Sequence, residues 1–221
     1  MTHARRSLLA AGATGTIALT AGCLGFVLGN EPLEFAADRV APTDEMVAET
    51  GYKERAVEQR TMERSESIGG IERDFEASLW TSSYSKAVEY RGQTREGSVF
   101  TAVSVPGMEV AGQSVNPLDE MSNEELLEEF LGRVDSNRGT VDNIRHQESF
   151  ALEILGESRD VDSFVGESEL DGEPLDVELT LASFDHEDDL LVLLGVLPKR
   201  LTEESANVEL LMESVEHPAD T

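Results

Sequence analysis

One cysteine, Cys23, stands in a chain of 221 residues, so neither an internal disulfide nor a multi-cysteine metal site can form. Lysine is almost as scarce: Lys53, Lys86 and Lys199 are the whole set. Basic side chains number 17 against 45 acids, a formal charge of −28. With no basic patch to release counterions from a phosphate backbone, nucleic acid is excluded as a partner. No Asn-x-Ser/Thr sequon occurs, and no run of about 20 strongly apolar residues of the kind a membrane span needs. The chain also lacks a Gly-x-Ser-x-Gly elbow, a phosphate loop and a His-Glu-x-x-His pair, so the common nucleophilic, nucleotide and zinc signals are missing.

What is present begins at the N-terminus. Arg5 and Arg6 are the only charged side chains before Glu31, a positive end of the kind that stays on the cytoplasmic side. From Ser7 to Leu19 the chain is uncharged, rich in Ala, Leu, Gly and Thr, and too short and mild to remain in lipid. The order Arg5, Arg6, Ser7, Leu8, Leu9 resembles the twin-arginine export signal, which carries proteins already folded. Leu19-Thr20-Ala21-Gly22-Cys23 resembles the lipobox of prokaryotic lipoproteins, with Thr20 where leucine is usual. That resemblance implies cleavage before Cys23, lipid on its sulfur and a fixed place on the bilayer, since two hydrocarbon chains anchor where one does not. The alternative is an uncleaved anchor, because Leu24, Phe26, Val27 and Leu28 extend the uncharged run. Either way the folded part faces the extracytoplasmic side of the cell membrane.

Removing residues 1–22 takes away two arginines and no acids, which leaves 45 acidic and 15 basic side chains and a formal charge of −30. Such a globule repels itself in dilute salt. Near molar salt the Debye length falls to about 3 Å and the repulsion is screened, so the composition is that of a halophile's protein. A disordered acidic chain is the other reading, but here the acids are interleaved with apolar residues at regular spacing.

The expected organisation is a signal over 1–22, a lipidated tether over 23–32, one α+β domain over 33–217 and a tail over 218–221. Leu33 to Ala37 reads as a first short strand. Thr43 is a candidate N-cap for a helix to Thr50, with Asp44 and Glu45 in its first turn and Gly51 as its stop. Lys53 to Arg64 and Ile71 to Thr81 form the arms of a hairpin about Gly69-Gly70. A third segment, Ala87 to Tyr90, is bounded by Arg91-Gly92, and Glu96-Gly97 is a further turn. Ser98 to Val105 and Leu190 to Pro198 are apolar on both faces, the pattern of central strands. Between them lie the Pro106 to Leu118 loop, a helix opened by the Ser122/Glu125 capping box, and strands with Phe150, Leu152 and Ile154, then Phe164 and Leu170, then Leu175 to Leu181. Thr202 starts a last helix carrying Val208, Leu211, Met212 and Val215, stopped by Pro218.

These pieces predict a mostly antiparallel twisted sheet with two amphipathic helices packed on one face. Their order resembles the sandwich of PsbP-like and mycobacterial LpqN-like proteins. In sequence, "GQSVNPLDEMSNEELL", "DHEDDLLVLLGVLP" and "NVELLMESVEH" resemble an uncharacterised family of haloarchaeal lipoproteins, a domain of unknown function. The resemblance implies export and a lipid anchor, and no activity.

Candidates for chemistry are few. Asp185, His186, Glu187, Asp188 and Asp189 crowd one turn, and oxygen-rich clusters of this kind hold Ca²⁺ or Mg²⁺. The turn lacks the glycine and spacing of a calcium loop, and acidic hairpin tips are ordinary in so acidic a chain. His146 reads as a strand-end histidine and His217 as one gaining from a helix C-terminus. The Pro106 to Leu118 loop is long enough to line a groove. No catalytic residue and no cofactor is expected. The favoured class is a non-catalytic binding or assembly module, tied to membrane lipid through Cys23 and meeting a protein or small-molecule partner. The runner-up is an extracytoplasmic enzyme that gathers His146 or His186 with carboxylates.

Overall fold

A computed structural model describes residues 32–68, 71–90, 93–110, 113–133, 141–170 and 173–220. Arg5, Arg6, Cys23 and the turns at 69–70, 91–92 and 171–172 lie outside the described residues. The chain divides into two compact units, residues 1–33 with 64–75, and residues 34–63 with 76–221. In the first, two strand segments face each other, and the Ser65 hydroxyl donates to the Asp74 carboxylate at 2.6 Å.

Along the whole described chain the strands and helices run in the order β1 (Leu33–Ala36), β2 (Ala41–Pro42), α1 (Asp44–Thr50), β3 (Lys53–Ile68), β4 (Ile71–Tyr90), β5 (Gln93–Pro106), β6 (Glu109–Val110), β7 (Gln113–Ser114), α2 (Asn123–Arg133), β8 (Asp142–Ile154), β9 (Glu157–Leu170), β10 (Glu173–His186), β11 (Asp189–Pro198), α3 (Thr202–Glu213) and β12 (Val215–Glu216), and the helices and the strands from β5 onward belong to the second unit. The main sheet has the order β1-β4-β5-β11-β10-β9-β8, with β3 also paired to β4. The ladders from β4 through β5, β11, β10, β9 and β8 are all antiparallel, and one pair elsewhere in the sheet is parallel. Two-stranded ribbons, β12 with β2 and β6 with β7, complete the pairing. Among the described residues, no helix is long and apolar enough to cross a membrane.

Local chemistry explains the helix starts. The Thr43 hydroxyl accepts from the Met46 N–H at 3.3 Å, and Gly51 closes α1 with φ 78°, a left-handed conformation that glycine adopts without strain. Ahead of α2, the Ser122 hydroxyl accepts from the Glu125 N–H while the Glu125 carboxylate accepts from the Ser122 N–H at 2.8 Å. The Ser122 N–H and the Ser122 hydroxyl, which also donates to that carboxylate at 2.8 Å, hold the Glu125 carboxyl below the usual carboxylate range.

The apolar strands β5 and β11 lie side by side in the middle of the sheet. Their alternation sends Phe100, Ala102, Leu191, Leu193 and Leu197 into a core with Val208, Leu211 and Met212 of α3. Val103, Val105, Leu190, Val192 and Leu194 enter a second core with Leu127 of α2. The helices therefore cover opposite faces and not one, because strands apolar on both sides need a cover on both.

Three other expectations are corrected. The segment at Ala87–Tyr90 is no separate strand but the end of β4. Glu96-Gly97 is no turn: Lys86 pairs with Ser98 and Ala87 with Glu96, so Gly97 is the extra residue of a β-bulge. Val215 lies past α3, in β12, because Ser214 ends the helix and its carbonyl accepts from the Thr43 N–H at 3.1 Å.

Where α3 crosses β11 there is room only for glycine: a Cβ on Gly195 would lie 2.3 Å from Val208 Cγ1. Gly195→Ala is expected to destabilise by about 1–3 kcal/mol through overpacking. Chemical unfolding at molar salt checks this, and Val208→Ala in the same chain should return part of the loss.

Candidate functional site

Strands β10 and β11 meet in a tight turn that pairs His186 with Asp189 and leaves Glu187 and Asp188 at its tip. Glu187 has φ 55°, uncommon for a residue with a side chain. The tip is pinned from β5: the Gly107 N–H donates to the Asp188 carbonyl at 2.7 Å, and a Cβ on Gly107 would lie 2.5 Å from that oxygen. Only glycine permits this approach.

Asp189 turns inward from the head of β11, with its side chain 6 % exposed. Burying a carboxylate in an apolar setting demands donors. Three converge on its Oδ2: the Asp38 N–H at 2.7 Å, the Ser104 hydroxyl at 3.1 Å and His217 Nε2 at 3.1 Å. His217, just beyond β12, has a side chain only 1 % exposed. Its other nitrogen faces His186: the two Nδ1 atoms are 3.0 Å apart, with the rings edge to face.

The proton positions follow. A carboxylate only accepts, so His217 carries its hydrogen on Nε2 and, when neutral, presents a lone pair on Nδ1. His186 then donates from its own Nδ1. The result is a chain of carboxylate, buried imidazole and half-buried imidazole that opens at the turn.

Of the five turn residues singled out by sequence, His186 and Asp189 join this chain. Asp185, Glu187 and Asp188 are exposed. The potential ligand atoms of His186, Glu187 and His217 lie within 4.8 Å of one another. Sequence reasoning missed His217. It is 31 positions from His186, sits beyond the helix rather than on its last turn, and reaches the turn only because β12 pairs with β2.

His146 also has a carboxylate. Its Nε2 lies 3.0 Å from Ser149 Oγ and 3.2 Å from Asp162 Oδ1, and Asn123 Nδ2 donates to Asp162 at 2.6 Å. Partial burial acts to raise the Asp162 pKa, but the bonds from Ser149, Asn123 and His146 prevail and lower it. The Ser149 hydroxyl donates to Asp162 Oδ1 at 2.5 Å.

In the segment from Pro106 to Leu118, the described residues are tied to one another rather than open. Met108 and Val110 are buried, Val115 N–H donates to the Met108 carbonyl, and the Asn116 side chain accepts from the Leu118 N–H at 3.1 Å.

At the other end of β5, Gly51, Lys53, Arg55, Ser85, Lys86 and Ala87 line a cleft of about 350 Å³. Beneath it Lys86 pairs with the buried Glu204 at 2.7 Å and sits 5.9 Å above the Tyr52 ring. Tyr52 is hydrogen-bonded to the buried Ser98. Burial pushes its phenol up to about 12, against the lowering effect of the Ser98 bond.

Two outcomes follow. Asp189→Asn should cost about 3 kcal/mol, because it removes the charge that three buried donors converge on, and calorimetric melting at molar salt reads it. For Tyr52 the neutral form is favoured by folding. Its contribution is complete below the unfolded phenol's pKa near 10 and is lost as pH rises through about 12, by about 2–3 kcal/mol in all. Tyr52→Phe should flatten the stability profile between pH 10 and 12, and phenolate absorbance should show one tyrosine ionising near the upper limit.

Comparison with known proteins adds little chemistry. No curated protein matches. A protein of unknown function from Pseudomonas aeruginosa, PA94, is 7 % identical with a TM-score of 0.35, covering 72 % of this chain and 99 % of its own. LpqN of Mycobacterium tuberculosis, involved in cell envelope biogenesis, is 7 % identical with a TM-score of 0.28, over 79 % of this chain and 95 % of its own. Both are weak structural likenesses, below what marks a shared fold. The match in sequence is to a family of unknown function over residues 39–216, and the chain belongs to that family, the Domain of unknown function DUF6517.

Proposed function

We propose that the chain is an exported lipoprotein that acts as a non-catalytic binding module on the extracytoplasmic face of a membrane, in a salt-rich medium. The observation that carries the non-catalytic part is the direction of two hydroxyl protons. The Ser104 hydroxyl donates a hydrogen bond to Asp189, and the Ser149 hydroxyl donates one to Asp162. A nucleophile needs the opposite order, with the serine proton passing to an imidazole that the carboxylate orients. The anchoring part rests on Arg5, Arg6 and the small residues leading to Cys23.

A binding role also suits the cleft lined by Lys53 and Arg55, two of the chain's 17 basic side chains, where Lys86 is already paired with Glu204. The second reading is an extracytoplasmic enzyme. It is favoured by the buried His217, oriented by Asp189 and touching His186, an arrangement able to serve as a general base.

Metabolic labelling of the cells with a lipid precursor tests the anchor. The chain is expected in the membrane fraction with label on Cys23, and Cys23→Ser should lose the label and leave the membrane. An unlabelled chain at full length in the cytosol overturns the proposal. Turnover of any hydrolysable substrate that disappears with His186→Ala would favour the enzyme.

A further inference from the structure

We propose that His186, Glu187 and His217 bind one divalent transition ion of the zinc class, with Asp189 orienting His217 from behind. The inference goes beyond the binding-module reading and does not depend on the anchor. Two imidazole nitrogens and one carboxylate oxygen form a donor set suited to Zn²⁺, Cu²⁺ or Ni²⁺, not the all-oxygen set that Ca²⁺ or Mg²⁺ prefers.

The spacing is close to what such an ion requires. A tetrahedral ion 2.0–2.1 Å from each of two nitrogens holds them about 3.3 Å apart. The two Nδ1 atoms stand 3.0 Å apart, and the Glu187 carboxylate completes a trio whose ligand atoms lie within 4.8 Å of one another. A few tenths of an ångström by the half-buried His186 opens the nitrogen pair, and the exposed Glu187 side chain turns in to close the set, because two ligands of one such ion stand no more than about 4 Å apart. Three protein ligands leave the fourth position for water or for a group brought by a partner.

Protonation favours the same conclusion. Asp189 fixes the hydrogen of His217 on Nε2, so the lone pair a metal needs already sits on Nδ1 and points at the turn. In the metal-free protein that lone pair accepts from His186 Nδ1–H. An ion takes the place of that hydrogen while His186 moves its proton to Nε2, so the balance of charge on the two rings is unchanged. Glu187 stands beside that point, in a turn set by the Gly107 N–H that pins the neighbouring Asp188 carbonyl. Carboxylate, imidazole and metal in line are the arrangement by which proteins raise a histidine's affinity for an ion.

The full-length chain, purified in detergent at molar salt, is titrated with Zn²⁺ alone against a chromophoric chelator and, separately, with Co²⁺. One Zn²⁺ per chain and the visible bands of four-coordinate Co²⁺ are expected. An excess of Ca²⁺ should not compete. Asp189→Asn should weaken Zn²⁺ by about 10–100-fold, as loss of an outer carboxylate does, and His186→Ala by more. Because Asp189→Asn also loosens the fold, His186→Ala is the deciding variant: it keeps the Asp189–His217 pair, and circular dichroism verifies its fold. Failure to bind Zn²⁺, equal binding by His186→Ala, or displacement by Ca²⁺ overturns the proposal, the last two marking an ion on surface carboxylates only. A Cys23→Ser chain should bind the ion like the native one, so the failure of the anchor reading and of this one are separable.

Discussion

A carboxylate buried at the head of the most apolar strand is the constraint that organises one end of this molecule. Asp189 is almost wholly buried, so its charge must be met by donors from elsewhere in the chain. The donors come from three distant places: the backbone at Asp38, the hydroxyl of Ser104 in β5, and the imidazole of His217 beyond α3. Each is a long-range tie. Together they fasten the link between β1 and β2, the central strand pair and the C-terminal segment to one point, and the β2–β12 ribbon brings the first and last of these side by side. Removing any donor leaves the charge under-satisfied, which is why an apolar core carries a polar clasp without loosening.

The opposite constraint acts on the surface. Glu124 and Glu128 on α2, and Asp185, Glu187 and Asp188 at the turn, all face water. On α3, burial and then the charges of Glu213, Glu178 and Glu148 raise the Glu209 pKa. A raised carboxylate pKa means that ionisation at neutral pH works against folding. Salt screens the part due to neighbours and leaves the part due to burial. Cations are used sparingly in reply. One of the three lysines, Lys86, is drawn inward to neutralise the buried Glu204 while its charge lies over Tyr52. This is a place where a lysine does what no surface ion pair would do, because both partners are mostly out of water.

Local signals were legible in the sequence and distant ones were not. Thr43 with Gly51 and Ser122 with Glu125 specify helix ends by bonds within a few residues, and the structure has those bonds. Two-sided apolar runs marked β5 and β11 as central strands. Nothing in either run says which helix covers which side, so the opposite-face packing of α2 and α3 was out of reach. Glycine at 97 looked like a turn because a bulge and a turn place the same demand on the backbone; only the partner strand tells them apart. At the site, the acidic turn was visible as composition, but Asp189 and Asp188 look alike in sequence and part company only when β11 alternates one inward and leaves the other at the tip. His217 was legible as a histidine near a helix end and not as the partner of His186, since the pairing depends on β12 finding β2.

The same clasp explains why a labile turn can hold a precise geometry. A two-residue tip carrying exposed acids would sample many conformations by itself, because like charges repel and the backbone at Glu187 is in a left-handed conformation that side chains disfavour. Two fixed points oppose this. Gly107 holds the Asp188 carbonyl from one side, and Asp189 holds His217 from beneath. Neither point depends on His186, which lies above them half-buried and hydrogen-bonded to His217 Nδ1. Rigidity is thus concentrated in the buried imidazole and adaptability in the outer one. In the ion-binding role proposed above, that division would let the outer group adjust while the core beneath it, which includes the charge that would be most costly to disturb, stays as it is.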